Sequence, residues 1–146
     1  MVTNKQQRYW KQLDREIDKV IQNKFTDSFM SNAKWVRLID GIVENSHLFK
    51  RVEFSKVNTE KNGVLYLDEY TTYDFDYWQT GFEGCNSLGG ILLYKEIEYL
   101  NFPKEFFDDK NKVCQQDLGK IKEILDSVGK FMLEVDDNYI RLIAYR

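Results

Sequence analysis

Five carboxylates lie between residues 62 and 94, in a stretch of thirty-three residues that contains no lysine or arginine. They are Asp68, Glu69, Asp74, Asp76 and Glu83. The same stretch, which we call the acidic aromatic segment, also holds eight large rings: Tyr66, Tyr70, Tyr73, Phe75, Tyr77, Trp78, Phe82 and Tyr94. Charge of one sign beside amphipathic rings is typical of a surface that binds a positively charged partner.

Two of the carboxylates have the spacing of neighbours on one face of a strand. Alternation over residues 73–78 forms two sets, with Asp74, Asp76 and Trp78 on one face and Tyr73, Phe75 and Tyr77 on the other. A divalent cation fits such a pair of aspartates sterically. A strand with its rings in the core and its aspartates in water shows the same alternation. The chain has no EF-hand loop and no His-x-x-x-His motif, and His47 is its single histidine. We therefore predict no metal site and no cofactor.

Nucleophilic catalysis has little support in the sequence. Cys85 lies in a glycine-rich stretch, and His47 is the single imidazole base that the chain offers it. The glycine-rich stretch lacks the Walker pattern and its lysine, so it is a poor match to a phosphate cradle. Cys85 and Cys114 lie 29 residues apart, which is not zinc-ligand spacing, and free thiols in a reducing compartment are the simpler interpretation. We predict no catalytic residues.

The composition is that of one folded domain. Hydrophobic residues make up 42% and aromatic residues 15% of the 146, which excludes a disordered chain and allows a sizeable core. A net charge of −3 and a pI near 5.3 disfavour a duplex nucleic-acid binder, which usually carries a basic face. No apolar run has the length of a membrane span, and residues 1–5 lead into a charged helix rather than an apolar signal segment. We expect a cytoplasmic protein that binds neither nucleic acid nor membrane directly.

Hydrophobic periodicity predicts three amphipathic helices. The first covers residues 5–24. The second covers about residues 33–45, with Ser31 favoured as the N-cap over Asp27 or Ser28. The third covers residues 115–127 and ends at Gly129.

Period-two patterns predict strands at residues 49–57, 64–70, 71–79 and 91–102, and a terminal hairpin over residues 131–135 and 139–145. Turn and loop signals separate them at residues 58–63, 81–90 and 104–113. The order of elements, ααββββαββ, predicts an α+β fold with an antiparallel meander sheet packed against helices. We assign residues 1–146 to a single domain, with an N-terminal amphipathic helix and connector at 1–28 and the main body at 29–146.

The first predicted helix has a basic face. Its positive side chains are Lys5, Arg8, Lys11, Arg15, Lys19 and Lys24. With Tyr9 and Trp10 this face has the character of a surface for RNA or an anionic membrane. Because three acidic residues are interspersed, a solvated face is the better interpretation, or one whose charge complements the acidic aromatic segment within the molecule or between copies of it.

Three short motifs resemble a family of small bacterial proteins of unknown function, over about residue 29 to the C-terminus. They are Asn32-Ala33-Lys34-Trp35, the run from Tyr94 to Leu100, and the run from Ile140 to Tyr145. That family has no established catalytic residues. More broadly, the chain resembles the immunity proteins encoded beside bacterial toxins in contact-dependent inhibition and polymorphic toxin systems. The resemblance implies a compact, acidic α+β domain that neutralises a nuclease toxin by covering its basic active site.

We predict a binding protein rather than an enzyme: an immunity protein whose partner is a cognate toxin, most simply a basic nuclease domain. Carboxylates would mimic nucleic-acid phosphates, and rings would supply contact area at low entropic cost. The predicted partner-binding residues are Asp68, Glu69, Tyr70, Tyr73, Asp74, Asp76, Tyr77, Trp78 and Glu83. Two alternatives remain open. One is a small-molecule or metal-dependent enzyme that uses Asp74, Asp76 and Glu83, and the other is a non-catalytic regulatory or scaffold domain.

Overall fold

Three helices form where the apolar stripes predict them. The computed structural model describes residues 4–71 and 80–146, apart from the side chains of residues 4–7, 9, 10 and 83. Helix α1 covers Asn4–Lys24, α2 covers Asn32–Glu44 and α3 covers Leu118–Val128. Ser31 caps α2, because its hydroxyl accepts a hydrogen bond from the amide of Lys34 at 3.2 Å. Asp117 caps α3, accepting from the amide of Lys120 at 3.1 Å, so α3 begins later than predicted.

The described ranges also contain nine strands. They are β1 Val52–Lys56, β2 Asn62–Leu65, β3 Gly81–Glu83, β4 Ile91–Leu93, β5 Ile97–Pro103, β6 Glu105–Phe107, β7 Val113–Gln115, β8 Leu133–Val135 and β9 Tyr139–Ile143. Five of them form one antiparallel sheet in the order β2-β1-β5-β9-β8. The α+β fold and the antiparallel sheet are therefore confirmed. The strand order differs from a simple meander, since the outer pairs β1–β2 and β8–β9 are hairpins while the central pairs join strands distant in sequence.

One face of the sheet supplies the core. Alternate side chains on the three central strands point to this face and are buried: Val52, Phe54, Leu100, Phe102, Ile140 and Leu142. The helices α2 and α3 contribute the opposing layer, with Trp35, Leu38, Ile39, Ile42, Ile121 and Leu125 in the same cluster. Gly41 lets α3 approach α2 closely, because a Cβ at this position would lie 2.6 Å from a methyl carbon of Val128. The other face of the sheet is left for polar side chains.

The predicted fourth strand is interrupted. Residues 91–102 were expected to be continuous, but a 3₁₀ turn at Tyr94–Glu96 separates β4 from β5. The cause is Glu96, which is buried and whose carboxylate accepts a hydrogen bond from the amide of Leu93 at 2.7 Å. The same carboxylate lies 3.3 Å from the ammonium of Lys56 on β1. A contact between Glu96 in the turn and Lys56 on a strand distant in sequence thus fixes the turn.

Two predicted loops contain short strands instead. The predicted loop at 81–90 begins with β3, which pairs with β4, and positive φ angles occur within residues 84–90. The predicted loop at 104–113 contains β6 and the start of β7, paired through Phe106 and Cys114. Asp108 closes this hairpin by accepting hydrogen bonds from the amides of Lys110 and Lys112, each at 2.9 Å. The predicted strand at 71–79 lies almost entirely outside the described residues.

Helix α1 packs on the body through an apolar side chain and acidic residues. Ile17 is fully buried on its inner face. Asp14 and Asp18 both form ion pairs with Lys95 in the 3₁₀ turn. The chain after α1 then follows the end of β9, where Phe29 donates a backbone hydrogen bond to Ala144 at 2.8 Å.

Candidate functional site

The described part of the predicted site is a tight turn that follows β2. The amide of Thr71 donates to the carbonyl of Asp68 at 3.0 Å, and the amide of Tyr70 donates to the Asp68 carboxylate at 2.9 Å. The hydroxyl of Thr71 in turn accepts from the amide of Asp68 at 2.9 Å. Aspartate favours such turns because its side chain replaces a backbone acceptor two residues along the chain. Glu69 and Tyr70 are therefore held at the tip of an ordered turn.

The rings next to these carboxylates are in water. Tyr70 is 81% exposed and Tyr66 is 58% exposed, while Leu67 between them is buried in the core. Because successive side chains point in opposite directions, Leu67 is anchored in the core and Tyr66 points outward. Asp68 and Glu69 are exposed as well. We call Tyr66, Asp68, Glu69 and Tyr70 the turn surface.

The carboxylates of the turn surface are not neutralised within the part of the chain that the structure describes. Neither Asp68 nor Glu69 takes part in an ion pair there. The basic helix α1 has other contacts, with Lys24 lying 3.9 Å from Glu98 and the acids of α1 engaging Lys95. No described cation of α1 therefore pairs with these two carboxylates within the molecule, and complementarity between copies of the chain stays a prediction.

A glycine-rich loop supports the turn surface from behind. The amide of Tyr66 donates to the carbonyl of Cys85 at 2.7 Å, and Leu65 forms a β-bridge with Asn86. Asn86 is buried and its side-chain amide donates to the carbonyl of Gly84 at 2.8 Å, which holds the loop in shape. The loop thereby covers the outer edge of β2 and fixes the direction of Tyr66. Sequence reasoning missed the role of Asn86, since its partners are backbone carbonyls.

The remaining predicted residues divide into two groups. Glu83 lies on β3 opposite Ile91, so its backbone position is known. Five others lie outside the described residues: Tyr73, Asp74, Asp76, Tyr77 and Trp78. The structure therefore brings Asp68, Glu69 and Tyr70 together and leaves the grouping of the other residues as a prediction.

Two rings of the acidic aromatic segment belong to the core rather than to any surface. Phe82 and Tyr94 are buried, and their rings meet edge to face with centroids 5.3 Å apart. Tyr94 also stacks on Trp35 of α2, at 5.7 Å between centroids. Burial raises the pKa of the Tyr94 phenol well above its usual value, and the charge of Asp40 adds to the effect.

The cysteine and the histidine considered for nucleophilic catalysis both lie within the described residues. Burial raises the pKa of the Cys85 thiol, and the nearby charge of Asp68 raises it further. A nucleophilic cysteine needs the opposite shift, because the thiolate is the reactive form. His47 is exposed in the turn that follows α2. Within the described ranges, no three His, Cys, Asp or Glu side chains are grouped so that they could hold a metal ion.

No helix in the described ranges combines the length and apolar character that crossing a membrane requires. Comparison of the chain with protein-family models, with curated proteins and with solved structures found no significant match. The resemblance to immunity proteins therefore stays a prediction.

Proposed function

We propose that this chain is an immunity protein that binds a cognate toxin and blocks it without catalysis. The proposed partner is a basic nuclease domain, and the turn surface is part of the interface. The observation that carries the proposal is the pairing of strongly exposed tyrosines with exposed carboxylates that have no ion-pair partner among the described residues.

Exposed rings support this proposal through the area that they offer to a partner. Tyrosine is enriched at the energetic centres of interfaces, because it has a large rigid ring and a polar end. Tyr66 and Tyr70 leave most of their surface in water. The apolar side chains of Leu88 and Ile91, in and beside the loop that supports Tyr66, are exposed as well.

Free carboxylates support it through electrostatics. Asp68 and Glu69 stand on a turn whose backbone is already hydrogen bonded, so a partner does not have to order it. Uncompensated charge of one sign accelerates encounter with a cationic surface and repels acidic proteins. A nuclease carries cationic side chains where it holds the nucleic-acid backbone.

The first test is a pull-down of the tagged chain from its native host at low and at high salt, with mass spectrometry of the eluate. We expect one stoichiometric basic partner with a toxin domain, retained at low salt and released at high salt. Inhibition of that partner's activity by the purified chain then establishes immunity. Recovery of a partner without toxic activity would contradict the proposal.

A matched pair of variants tests the interface. Asp68→Asn with Glu69→Gln removes two charges, and the asparagine oxygen still accepts from the amide of Tyr70. We expect association about tenfold slower at low salt, with the difference shrinking as salt rises. The control, Glu123→Gln with Asp137→Asn, removes the same charge from exposed positions elsewhere. Equal slowing by both pairs would indicate a general charge effect and would remove the turn surface from the interface.

A further inference from the structure

The outer face of the sheet carries a row of polar side chains on four adjacent strands. Glu53, Asn101 and Arg141 lie directly opposite one another on β1, β5 and β9, and Glu134 on β8 continues the row. On β1, β5 and β9 their neighbours in sequence point to the other face and are buried in the core, whereas beside Glu134 on β8 Leu133 is half-buried and Val135 is exposed. We call this set the outer polar row.

Glu53 has both of its oxygens occupied. One accepts a hydrogen bond from the Arg51 guanidinium at 3.2 Å, and the other accepts from the side-chain amide of Asn101 at 2.9 Å. The carbonyl oxygen of Asn101 accepts from Nε of Arg141 at 3.3 Å. The charge of Glu53 is therefore paired with Arg51, while an amide separates it from Arg141.

Arg141 is a half-buried cation for which the described side chains provide no carboxylate partner. Among the described residues no carboxylate oxygen lies within 4.0 Å of its guanidinium, and Glu134 pairs instead with Arg146 at 3.0 Å. Tyr99 and Tyr139 each place a ring centroid 4.7 Å from its central carbon. The rings shield the guanidinium and hold it by cation–π attraction. Its Nε is occupied by Asn101, and no described residue accepts a hydrogen bond from its Nη atoms.

This guanidinium lines a depression of about 270 Å³ on the outer face. Arg51, Glu53 and Tyr99 contribute to the same depression, and Ser87 of the glycine-rich loop forms part of its wall. The volume is slightly below that of ordinary ligand pockets, which indicates a small ligand. Two arginines and one glutamate give the lining a net charge of +1.

We propose that this depression binds a small monocarboxylate, whose oxygens are held by the Nη atoms of Arg141. A carboxylate matches the planar fork of a guanidinium with two parallel hydrogen bonds. A net charge of +1 on the described lining matches a singly charged anion better than a doubly charged phosphate. Tyr99 offers a ring surface to the remainder of the ligand. This site is independent of the proposed function, since none of the contacts on which the proposal rests involves a residue of the turn surface.

Titrations followed by NMR of the ¹⁵N-labelled chain test the proposal. Sodium benzoate serves as the probe for a free small molecule, and N-acetylglutamate α-methylamide serves as the probe for a glutamate side chain on a protein. We expect one or both to move the Arg141 Nε–H and Tyr99 amide resonances along a saturating curve, and the tighter probe identifies the source of the carboxylate. Inorganic phosphate at equal concentration should move them less. Phosphate binding as tightly as both carboxylates would overturn the assignment, and so would shifts that rise linearly at many surface cations.

Arg141→Lys provides the mutational test, since lysine keeps the charge and loses the planar fork and the stacking between rings. We expect about tenfold weaker binding of the better probe. Arg37→Lys is the control, because Arg37 is exposed on α2 and does not line the depression. Unchanged binding by Arg141→Lys would overturn the proposal. If the variant loses its native spectrum, the wild-type titration decides, because a stationary Arg141 Nε–H resonance contradicts the site by itself.

Discussion

Tyr70 leaves a large ring in water, and the proposed partner would cover that ring on binding. Its ring is 81% exposed, although aromatic side chains of similar size fill the core of the same molecule. Hydrophobic burial contributes roughly 25 cal/mol per Å² of apolar surface removed from water. A ring that is free before binding and covered afterwards contributes this free energy to association rather than to folding.

We therefore expect Tyr70→Ala to weaken the complex without destabilising the chain. The predicted loss is about 2 kcal/mol, or roughly thirtyfold in Kd. The turn itself survives, because its hydrogen bonds to this residue use the backbone amide. Titration calorimetry with the partner recovered in the pull-down measures the affinity, and thermal unfolding measures the stability.

Phe107→Ala is the control for Tyr70→Ala. Phe107 is also a strongly exposed ring, at 63%, but it lies on β6, which pairs only with β7 in the described ranges. Its truncation should leave the affinity unchanged. Comparable losses for the two variants would contradict the assignment of the interface to the turn surface.

At the scale of elements, the 3₁₀ turn depends on one buried carboxylate. Glu96 accepts from the amide of Leu93 and pairs with Lys56, so its loss leaves a donor and a cation without their acceptor. We predict that Glu96→Ala lowers the free energy of unfolding by about 3 kcal/mol. Glu96→Gln should cost less, because its amide oxygen can still accept from Leu93. Urea unfolding measures both values.

Glu98→Ala is the matched control for the buried pair. Glu98 lies two residues away and pairs with Lys24 at 3.9 Å, with half of the lysine side chain exposed. Exposed ion pairs contribute little, so the expected loss is below about 1 kcal/mol. Similar losses for Glu96→Ala and Glu98→Ala would show that the turn does not depend on the buried carboxylate.

The hairpin of β3 and β4 requires a residue without a side chain at Gly81. A Cβ there would lie 2.6 Å from the carbonyl oxygen of Leu92 and 2.9 Å from Cα of Leu93, both of which are backbone atoms. Gly81→Ala should therefore cost about 1–3 kcal/mol, because the paired strand must shift. In Gly119→Ala the nearest atom belongs to the Asp117 side chain, at 3.3 Å, so we expect a change below about 1 kcal/mol. Unfolding free energies that do not differ between the two variants would contradict this account.

The sequence predicted well those helices and strands that are determined by residues within or next to them. The helix α2 follows from its apolar stripe and the Ser31 cap, and the terminal hairpin follows from alternation around a polar turn. The 3₁₀ turn was not predicted, because it requires Lys56 to reach Glu96 from a strand forty residues earlier. The pairing of β3 with β4 was also missed. The glycines at both ends of residues 81–90 made the whole stretch resemble a loop.

In the candidate site too, the sequence predicted the features that have local causes and missed those that depend on distant parts of the chain. Exposure of Asp68, Glu69 and Tyr70 follows from local polarity, but the sequence placed them on a strand over residues 64–70, which was wrong because β2 ends at Leu65 and a turn follows. Phe82 and Tyr94 were grouped with surface rings because sequence position does not reveal which side of a strand meets α2. The outer polar row escaped notice altogether, since its members come from four strands that only the sheet brings together.

At the scale of the whole molecule, exposed cations and exposed carboxylates lie on different surfaces. Helix α1 turns Asp14 and Asp18 toward Lys95 on the body, and five of its described cations are exposed: Arg8, Lys11, Arg15, Lys19 and Lys24. The turn surface carries the opposite sign. A molecule with separate basic and acidic surfaces is oriented by the field of a charged partner before contact. The proposed basic partner would therefore be guided to the turn surface and away from the outer face of α1.

The contact between α1, the 3₁₀ turn and the end of the chain gives the molecule a dependence on alkaline pH. Burial raises the pKa of the phenols of Tyr94 and Tyr145 above the ordinary value of 10.0. Burial lowers the pKa of Lys95, but hydrogen bonds and charges from Asp14 and Asp18 outweigh this effect and leave it above 10.5. The hydroxyl of Tyr145 also donates to the carbonyl of Lys95 at 3.0 Å, so the three groups belong to one contact region.

The pKa values of Tyr94, Tyr145 and Lys95 are all raised in the folded state. The folded state holds these protons at a pH where the unfolded state has released them, so the free energy of unfolding decreases as pH rises. Their contribution is present in full below about pH 10 and is lost as pH rises through the folded-state pKa values. Urea unfolding at intervals from about pH 8 to pH 11.5 measures this decline. Tyr94→Phe removes one of the groups and should make the decline shallower than in the unchanged chain. A decline of equal steepness in the variant and in the unchanged chain would show that the buried phenol does not contribute to it.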